Sequence, residues 1–144
     1  MAFISKSSEY GLRAALYVAT RKNEKYVPIR EISKDLKISF HFLTKILQRL
    51  TREGLMISYR GPSGGIALAK PAKKITLMDI IQAIEEKDLF ESCILGLAGC
   101  GEKKPCPLHK YWARERRSMK AVFSKMTLDK LSGHVLKNKL RLAD

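Results

Sequence analysis

The stretch that most restricts this chain is Cys93-Ile-Leu-Gly-Leu-Ala-Gly-Cys100-Gly-Glu-Lys-Lys-Pro-Cys106-Pro-Leu-His109. All three cysteines and one of the three histidines of the 144-residue sequence fall within it. Its three glycines and two prolines rule out a regular helix or a long strand. The chain must therefore be built as a part before this loop and a part after it. Thiols gathered on such a loop can fold around a soft metal centre.

Before the loop, the pattern is that of short helices. Residues 5–22 open on serines that can cap a helix and continue with small residues interleaved among large ones, which suits close helix packing. Pro28 fits the first position of a short helix carrying Ile29, Ile32 and Leu36. The turn Lys37-Ile38-Ser39 leads into a third helix from Phe40 to about Glu53. There Leu43, Ile46, Leu47 and Leu50 form one apolar stripe, and Gly54 is the natural stop. Two short helices joined by a tight turn make a helix-turn-helix pattern, a weak signal alone. The next fifteen or so residues sharpen it. Leu55 to Arg60 alternates like a strand, Gly61-Pro-Ser-Gly-Gly65 turns, and Ile66 to Ala69 returns. A basic-tipped hairpin directly after the helix pair is a winged helix.

A further helix opens at Thr76, with Thr76 and Asp79 as a capping box and Leu77, Ile80, Ile81 and Ile84 as its buried face. Glu85, Glu86, Asp88 and Glu91 then read as a solvated acidic patch. After the loop, Pro107 can start a long helix to about Lys125. Its apolar residues Leu108, Trp112, Met119, Val122 and Met126 need a partner, and a twofold copy of the same helix is the simplest one. Residues 127–140 give a last helix able to pack back on the body.

Charge narrows the function. The sequence carries 28 Lys+Arg against 14 Asp+Glu, a net of +14. Residues 1–75 hold 15 basic and 5 acidic residues, so most of the excess lies in the head. Such a head suits a polyanion, nucleic acid or an acidic membrane surface. No apolar run approaches the ~18 residues of a membrane span and the N-terminus lacks the order of a signal peptide, so a cytoplasmic protein is expected. An enzyme is not expected: no nucleophile–base pair appears, and Gly61-Pro-Ser-Gly-Gly65 lacks the Lys-Ser/Thr of a phosphate-binding loop.

A winged helix lays its second helix in the major groove and its wing beside the minor groove. Ser39, His41, Thr44, Lys45 and Gln48 face outward, opposite the apolar stripe. His41, Thr44 and Lys45 are the candidates for base edges. Gln48, Arg49 and Arg52 suit phosphates. Arg60 suits a narrow minor groove, Gly61, Gly64 and Gly65 let the wing backbone approach the sugar-phosphate chain, and Arg60, Gly61, Pro62 and Ser63 are the wing's candidate DNA-binding residues.

For the cysteines three readings stay open. A zinc site of Cys93, Cys100, Cys106 and His109 has suitable donors, but the spacing C-x6-C-x5-C-x2-H lacks the usual close cysteine pair. A thiol switch needs only two of the three. An iron–sulfur cluster on three thiolates needs a fourth ligand or an open iron position.

Lys6-Ser-Ser-Glu-Tyr10-Gly-Leu-Arg-Ala in the first helix, Ile38-Ser39-Phe40, Leu43 to Leu55, Arg60-Gly-Pro-Ser-Gly-Gly-Ile-Ala-Leu-Ala69 in the wing, and Cys106-Pro-Leu-His109 together resemble the Rrf-two family of winged-helix regulators, IscR-like and NsrR-like. The resemblance covers nearly the whole chain. It implies a mainly α fold with a small β wing: a DNA-binding head over residues 1–84, a cysteine cluster loop over 85–107, and a dimerisation helix and C-terminal helix over 108–144. It implies a homodimeric transcription regulator, a repressor or activator acting on a palindromic operator in double-stranded DNA. Cys93, Cys100 and Cys106 are implied to hold an iron–sulfur cluster, 2Fe–2S in preference to 4Fe–4S. His109 is the expected fourth ligand, as in the IscR-like pattern. Glu9 is its rival, matching the first-helix carboxylate of NsrR-like members. One departure is visible: six residues separate Cys93 from Cys100, where the best-known members have five.

Overall fold

Local capping signals set where the helices begin. The Ser5 hydroxyl accepts a hydrogen bond from the Ser8 N–H at 3.1 Å and opens α1, Lys6–Thr20. Pro28 lies just before α2, Ile29–Leu36, and its carbonyl accepts from the Glu31 and Ile32 N–H groups, so it takes the cap one position ahead of the place expected for it. Lys37, in the left-handed conformation at φ 55°, ends α2. Ser39 then caps α3, Phe40–Arg52, through the Phe42 N–H at 3.3 Å. Gly54, at φ 76°, provides the stop. The computed structural model describes residues 3–144; Met1 and Ala2 of the head lie outside the described residues.

The hairpin consists of β1, Met56–Tyr59, and β2, Gly65–Leu68, paired antiparallel from Met56 opposite Leu68 to Tyr59 opposite Gly65. Val27 adds a one-residue antiparallel bridge on the other edge of β2 by exchanging two 2.9 Å backbone hydrogen bonds with Ile66, and so ties the wing to the start of α2. A mainly helical winged helix-turn-helix head with a two-stranded wing is therefore what the chain forms.

The core of the head is made by the α3 stripe. Leu43, Ile46, Leu47 and Leu50 are each 2% exposed or less, and they meet Ala14 and Ala15 of α1, both fully buried. The small residues of α1 serve the close packing that their spacing predicts. At Gly11 an added Cβ would lie 2.3 Å from Ile84 Cδ1 and 3.4 Å from Ile46 Cγ2, so three helices meet where no side chain fits. Arg13 of α1 donates to the Leu36 carbonyl at 2.9 Å and to the Leu142 carbonyl at 2.6 Å, joining the helix-turn-helix to the C-terminal segment.

The capping box at Thr76 and Asp79 is formed, with bonds of 3.2 and 2.9 Å, and opens α4, Leu77–Ile84. Its buried residues are Met78, Ile80, Ile81 and Ile84; Leu77, expected among them, is only partly covered. The reason is that α4 is covered on two sides. Ile80 and Ile84 face α1 and α3, while Met78 and Ile81 join a second cluster with Phe90. The long helix α5, His109–Lys125, starts two residues after Pro107, with Leu108 as a cap whose carbonyl accepts the Trp112 N–H at 2.8 Å but whose side chain makes no capping bond. Ala113 is its one buried residue, and Tyr111 and Val122 are exposed. α6, Leu128–Asn138, packs back on α1, with Leu128 fully buried. Among the described residues no helix is long and apolar enough to cross a membrane.

The acidic run after α4 is more than a solvated patch. Glu85 Oε1 accepts hydrogen bonds from Ser8 Oγ at 2.6 Å and from the Ser5 N–H at 2.9 Å. Glu91 pairs with Lys120 of α5 at 2.7 Å. Desolvation acts to raise the Glu85 pKa, but the bonds from Ser8 and Ser5 and the charge of Arg49 bring it below the usual carboxylate range. Its unfolded value is near ~4.3. A depressed folded value stabilises the fold above that pH, and the stabilisation disappears as pH falls through the folded value. Glu85→Gln is therefore expected to lower the thermal midpoint near neutral pH. The gap to wild type should narrow below about pH 4, read by circular dichroism melts across pH.

Candidate metal centre and nucleic-acid interface

Between α4 and α5 the loop turns on two glycines at positive φ, Gly96 at 72° and Gly99 at 69°. The Gly96 N–H closes a turn onto the Cys93 carbonyl at 3.0 Å. These turns bring the three thiols together: Cys93, Cys100 and Cys106 Sγ all lie within 4.8 Å of one another. Cys93 and Cys106 Sγ are 3.7 Å apart, and no two are joined as a disulfide. Cys106 is buried, while Cys93 and Cys100 are half-buried.

The backbone N–H groups of Leu97 and then Leu95, outweighing desolvation, lower the Cys93 thiol to about 7. Cys100 moves the other way. The Cys106 N–H acts to lower it, but desolvation and the neighbouring thiols prevail and raise it. Three convergent soft donors fit a thiophilic metal or an iron–sulfur group.

The two candidate fourth ligands are placed differently. His109 begins α5, and its Nδ1 lies 3.5 Å from Cys100 Sγ, at the edge of the thiol triad. Glu9 is outside that triad; its carboxylate pairs with Lys6 at 3.1 Å on the first turn of α1.

Sequence reasoning missed the contacts that hold the loop. The Ser92 carbonyl, one residue before Cys93, accepts from both Trp112 Nε1 at 2.9 Å and an Arg116 guanidinium nitrogen at 2.8 Å. Phe3 packs edge-on against Phe90 and Trp112, with ring centroids 6.1 and 6.2 Å away. Trp112 was legible as an apolar helix residue, but nothing in its spacing announces a bond to a carbonyl twenty residues away.

On the head, Ser39, His41, Lys45, Gln48 and Arg52 are exposed, and Thr44 and Arg49 are half-buried. The Thr44 hydroxyl donates to the Phe40 carbonyl at 2.7 Å, which leaves only its lone pairs for an outside donor. Arg60, Gly61, Pro62 and Ser63 stand exposed at the wing. Between α3 and the wing runs an open cleft of about 990 Å³ whose lining includes Arg30, Gln48, Arg52, Tyr59 and Arg60. Arg30 was not foreseen. Its guanidinium lies 4.6 Å from the Phe40 ring centroid and adds a cation to the floor between helix and wing.

The model of the Rrf2 family, described as an iron-dependent transcriptional regulator, matches residues 4–134. The chain belongs to the Rrf2 family. Among curated relatives, this Rrf2 protein is 32% identical to the HTH-type transcriptional regulator IscR of Pectobacterium carotovorum subsp. carotovorum (strain PC1), over 89% of this chain and 77% of the relative. Among solved structures, CymR, the global cysteine regulator of B. subtilis, superposes with a TM-score of 0.78 at 27% identity, over 93% of this chain and 98% of that one. T. potens IscR shares the fold with a TM-score of 0.76 at 22% identity, over 96% and 91% of the two chains. Its relatives are transcriptional regulators, and the winged head is of the DNA-binding kind.

Proposed function

We propose that this Rrf2 protein is a homodimeric regulator that binds a palindromic DNA operator under the control of an iron–sulfur cluster. The observation that carries the reading is the convergence of three free thiols within 4.8 Å on the loop between the DNA-binding head and α5. Cys93, Cys100 and Cys106 are the thiolate ligands, and His109, at the edge of the triad, is preferred over Glu9 as the fourth. Iron–sulfur chemistry supplies a link among these thiolates that oxygen, nitric oxide or iron shortage can break. A 2Fe–2S centre is the preferred form, and the His109 Nδ1 atom 3.5 Å from Cys100 Sγ supports a nitrogen donor beside the thiolates.

The protein's own parts do the rest. Trp112 and Arg116 fix the peptide before Cys93 to α5, so a change in the loop is felt at that helix. α5 is mostly uncovered and would pair with its copy about a twofold axis. Dimerisation then sets the separation of two α3 helices near the ~34 Å of one DNA turn. A ~100-fold change in operator affinity requires only about 2.7 kcal/mol of differential binding.

On DNA, His41, Thr44 and Lys45 would reach base edges from α3, with Ser39 at its capped start. Gln48, Arg49 and Arg52 would bond phosphates, and Arg60 with Gly61, Pro62 and Ser63 would follow the minor groove. Arg52→Ala is expected to weaken operator and random DNA about equally. It should also reduce the salt slope of binding by about 1, measured by fluorescence anisotropy over a salt series.

The deciding experiment is anaerobic purification with absorption spectra, iron and sulfide assays, and operator binding of loaded and apo protein. Coloured protein with sulfide and a loaded-to-apo affinity difference supports the reading. Colourless protein that takes up no iron on reconstitution refutes it.

A second reading has its own observation. Cys93 and Cys106 Sγ stand 3.7 Å apart, close enough for hydrogen peroxide to oxidise the two thiols to a disulfide, the peroxide being reduced to water with their protons. The likeness to CymR supports a thiol-based input of this kind. Non-reducing peptide mapping of peroxide-treated apo protein separates the two: a Cys93–Cys106 crosslink that changes operator affinity favours the thiol switch.

A further inference from the structure

The Ile84–Glu85 corner, where α4 ends and the cysteine loop begins, touches both the first turn of α1 and the recognition helix α3. Ile84 Cδ1 fills the space in front of Gly11, at a point where Ile46 of α3 is also packed. Glu85 closes the other side of the corner. Its Oε1 takes the Ser8 hydroxyl at 2.6 Å and the Ser5 N–H at 2.9 Å, and Ser8 is fully buried. The Ser5 and Ser8 hydroxyls are themselves 3.3 Å apart, so cap, buried serine and carboxylate form one network. Arg49 of α3 is near enough for its charge to act on Glu85. The N-terminal segment is held to the loop side a second time, by Phe3 against Phe90 and Trp112.

We infer that Glu85 is a positioning residue that couples the state of the cysteine loop to the placement of α3 on DNA, a role that rests on the proposed cluster-controlled DNA binding. A shift at the root of the loop must displace Ile84 or Glu85. Close-packed helices that meet at Gly11 have no slack to absorb such a shift, so Ile46 and with it α3 must follow. Glu85 holds α1 to the same corner, which makes α1, α4 and α3 move as one block. Without the Glu85 bonds, the loop root can move against α1 and the displacement is dissipated before it reaches α3.

The test uses the full chain, loaded anaerobically and as apo protein, in wild type, Glu85→Gln and Ser8→Ala. The probe is an operator duplex selected from random DNA with loaded wild type. Iron and sulfide content should match wild type in both variants, because neither residue is a ligand. The ratio of loaded to apo operator affinity should fall by roughly 3- to 30-fold in each. Hydrogen exchange of residues 40–52, which should differ between loaded and apo wild type, should no longer respond to loading. A purely structural role would weaken both forms together and leave the ratio intact. Variants that keep the wild-type ratio with normal iron overturn the coupling role alone. A wild type whose affinity is the same loaded and apo overturns the proposed function and the coupling role with it. Ser8→Ala removes one hydroxyl and keeps the Glu85 charge, so it remains informative where Glu85→Gln melts early.

Discussion

Serine in place of Cys106 is expected to give folded protein that retains at least ~100-fold less iron than wild type on anaerobic reconstitution. That loss exceeds the 10- to 100-fold typical of removing an outer-shell partner, because a ligand itself is lost. Cys106 is the buried member of the triad and lies 3.7 Å from Cys93. A serine hydroxyl is a hard, neutral donor at that place and cannot replace a thiolate for iron. The fold should survive, since the residue sits in a loop outside the core of the head. Operator affinity should become that of apo wild type under all conditions, a change of up to ~100-fold relative to the loaded form. Iron and sulfide assays with anisotropy titrations read both effects. Wild-type iron content in this variant would remove Cys106 from the ligand set.

Gly65→Ala is expected to be strongly damaging, costing about 3 kcal/mol or more and lowering the thermal midpoint by about 10 °C. Gly65 has φ 155°, and an added Cβ would lie 2.2 Å from the Val27 carbonyl oxygen and 2.5 Å from its carbon. Both neighbours are backbone, so no rotamer change relieves the clash. The displaced segment is the one whose two 2.9 Å bonds tie Ile66 to Val27. Losing that bridge frees the wing from α2 and should also weaken DNA binding, in measurements made well below the melting range. Gly61→Ala, a substitution at φ 123° with open space around the added methyl, should cost less, because only backbone strain opposes it. A melt series on the two variants checks the order.

Much of this protein could be read from local patterns. Ser5, Ser39, Thr76 and Thr127 each cap the helix that starts after them, and Gly54 stops α3. These signals are short-range hydrogen bonds and steric limits, so they are present in any few consecutive residues. The α3 stripe was legible for the same reason: a 3.6-residue period fixes which residues share a face. Leu77 misled because periodicity locates a stripe but not the number of neighbours, and α4 turned out to be covered on two sides. Glu85 looked like one acid in a solvated run, because its partners Ser5 and Ser8 lie 80 and 77 residues away. Arg30, Trp112 and Arg116 were missed in the same way.

Residue type and spacing alone dictate the winged head, its basic character and the gathering of three cysteines on a loop that cannot be helical. Three other facts exist only in the folded chain. The three thiols converge to within 4.8 Å. His109 sits beside Cys100 while Glu9 pairs with Lys6. The root of the loop is wedged between α1 and α3. Each depends on how glycine turns and packed helices place distant segments against one another, and spacing along the chain carries no record of that.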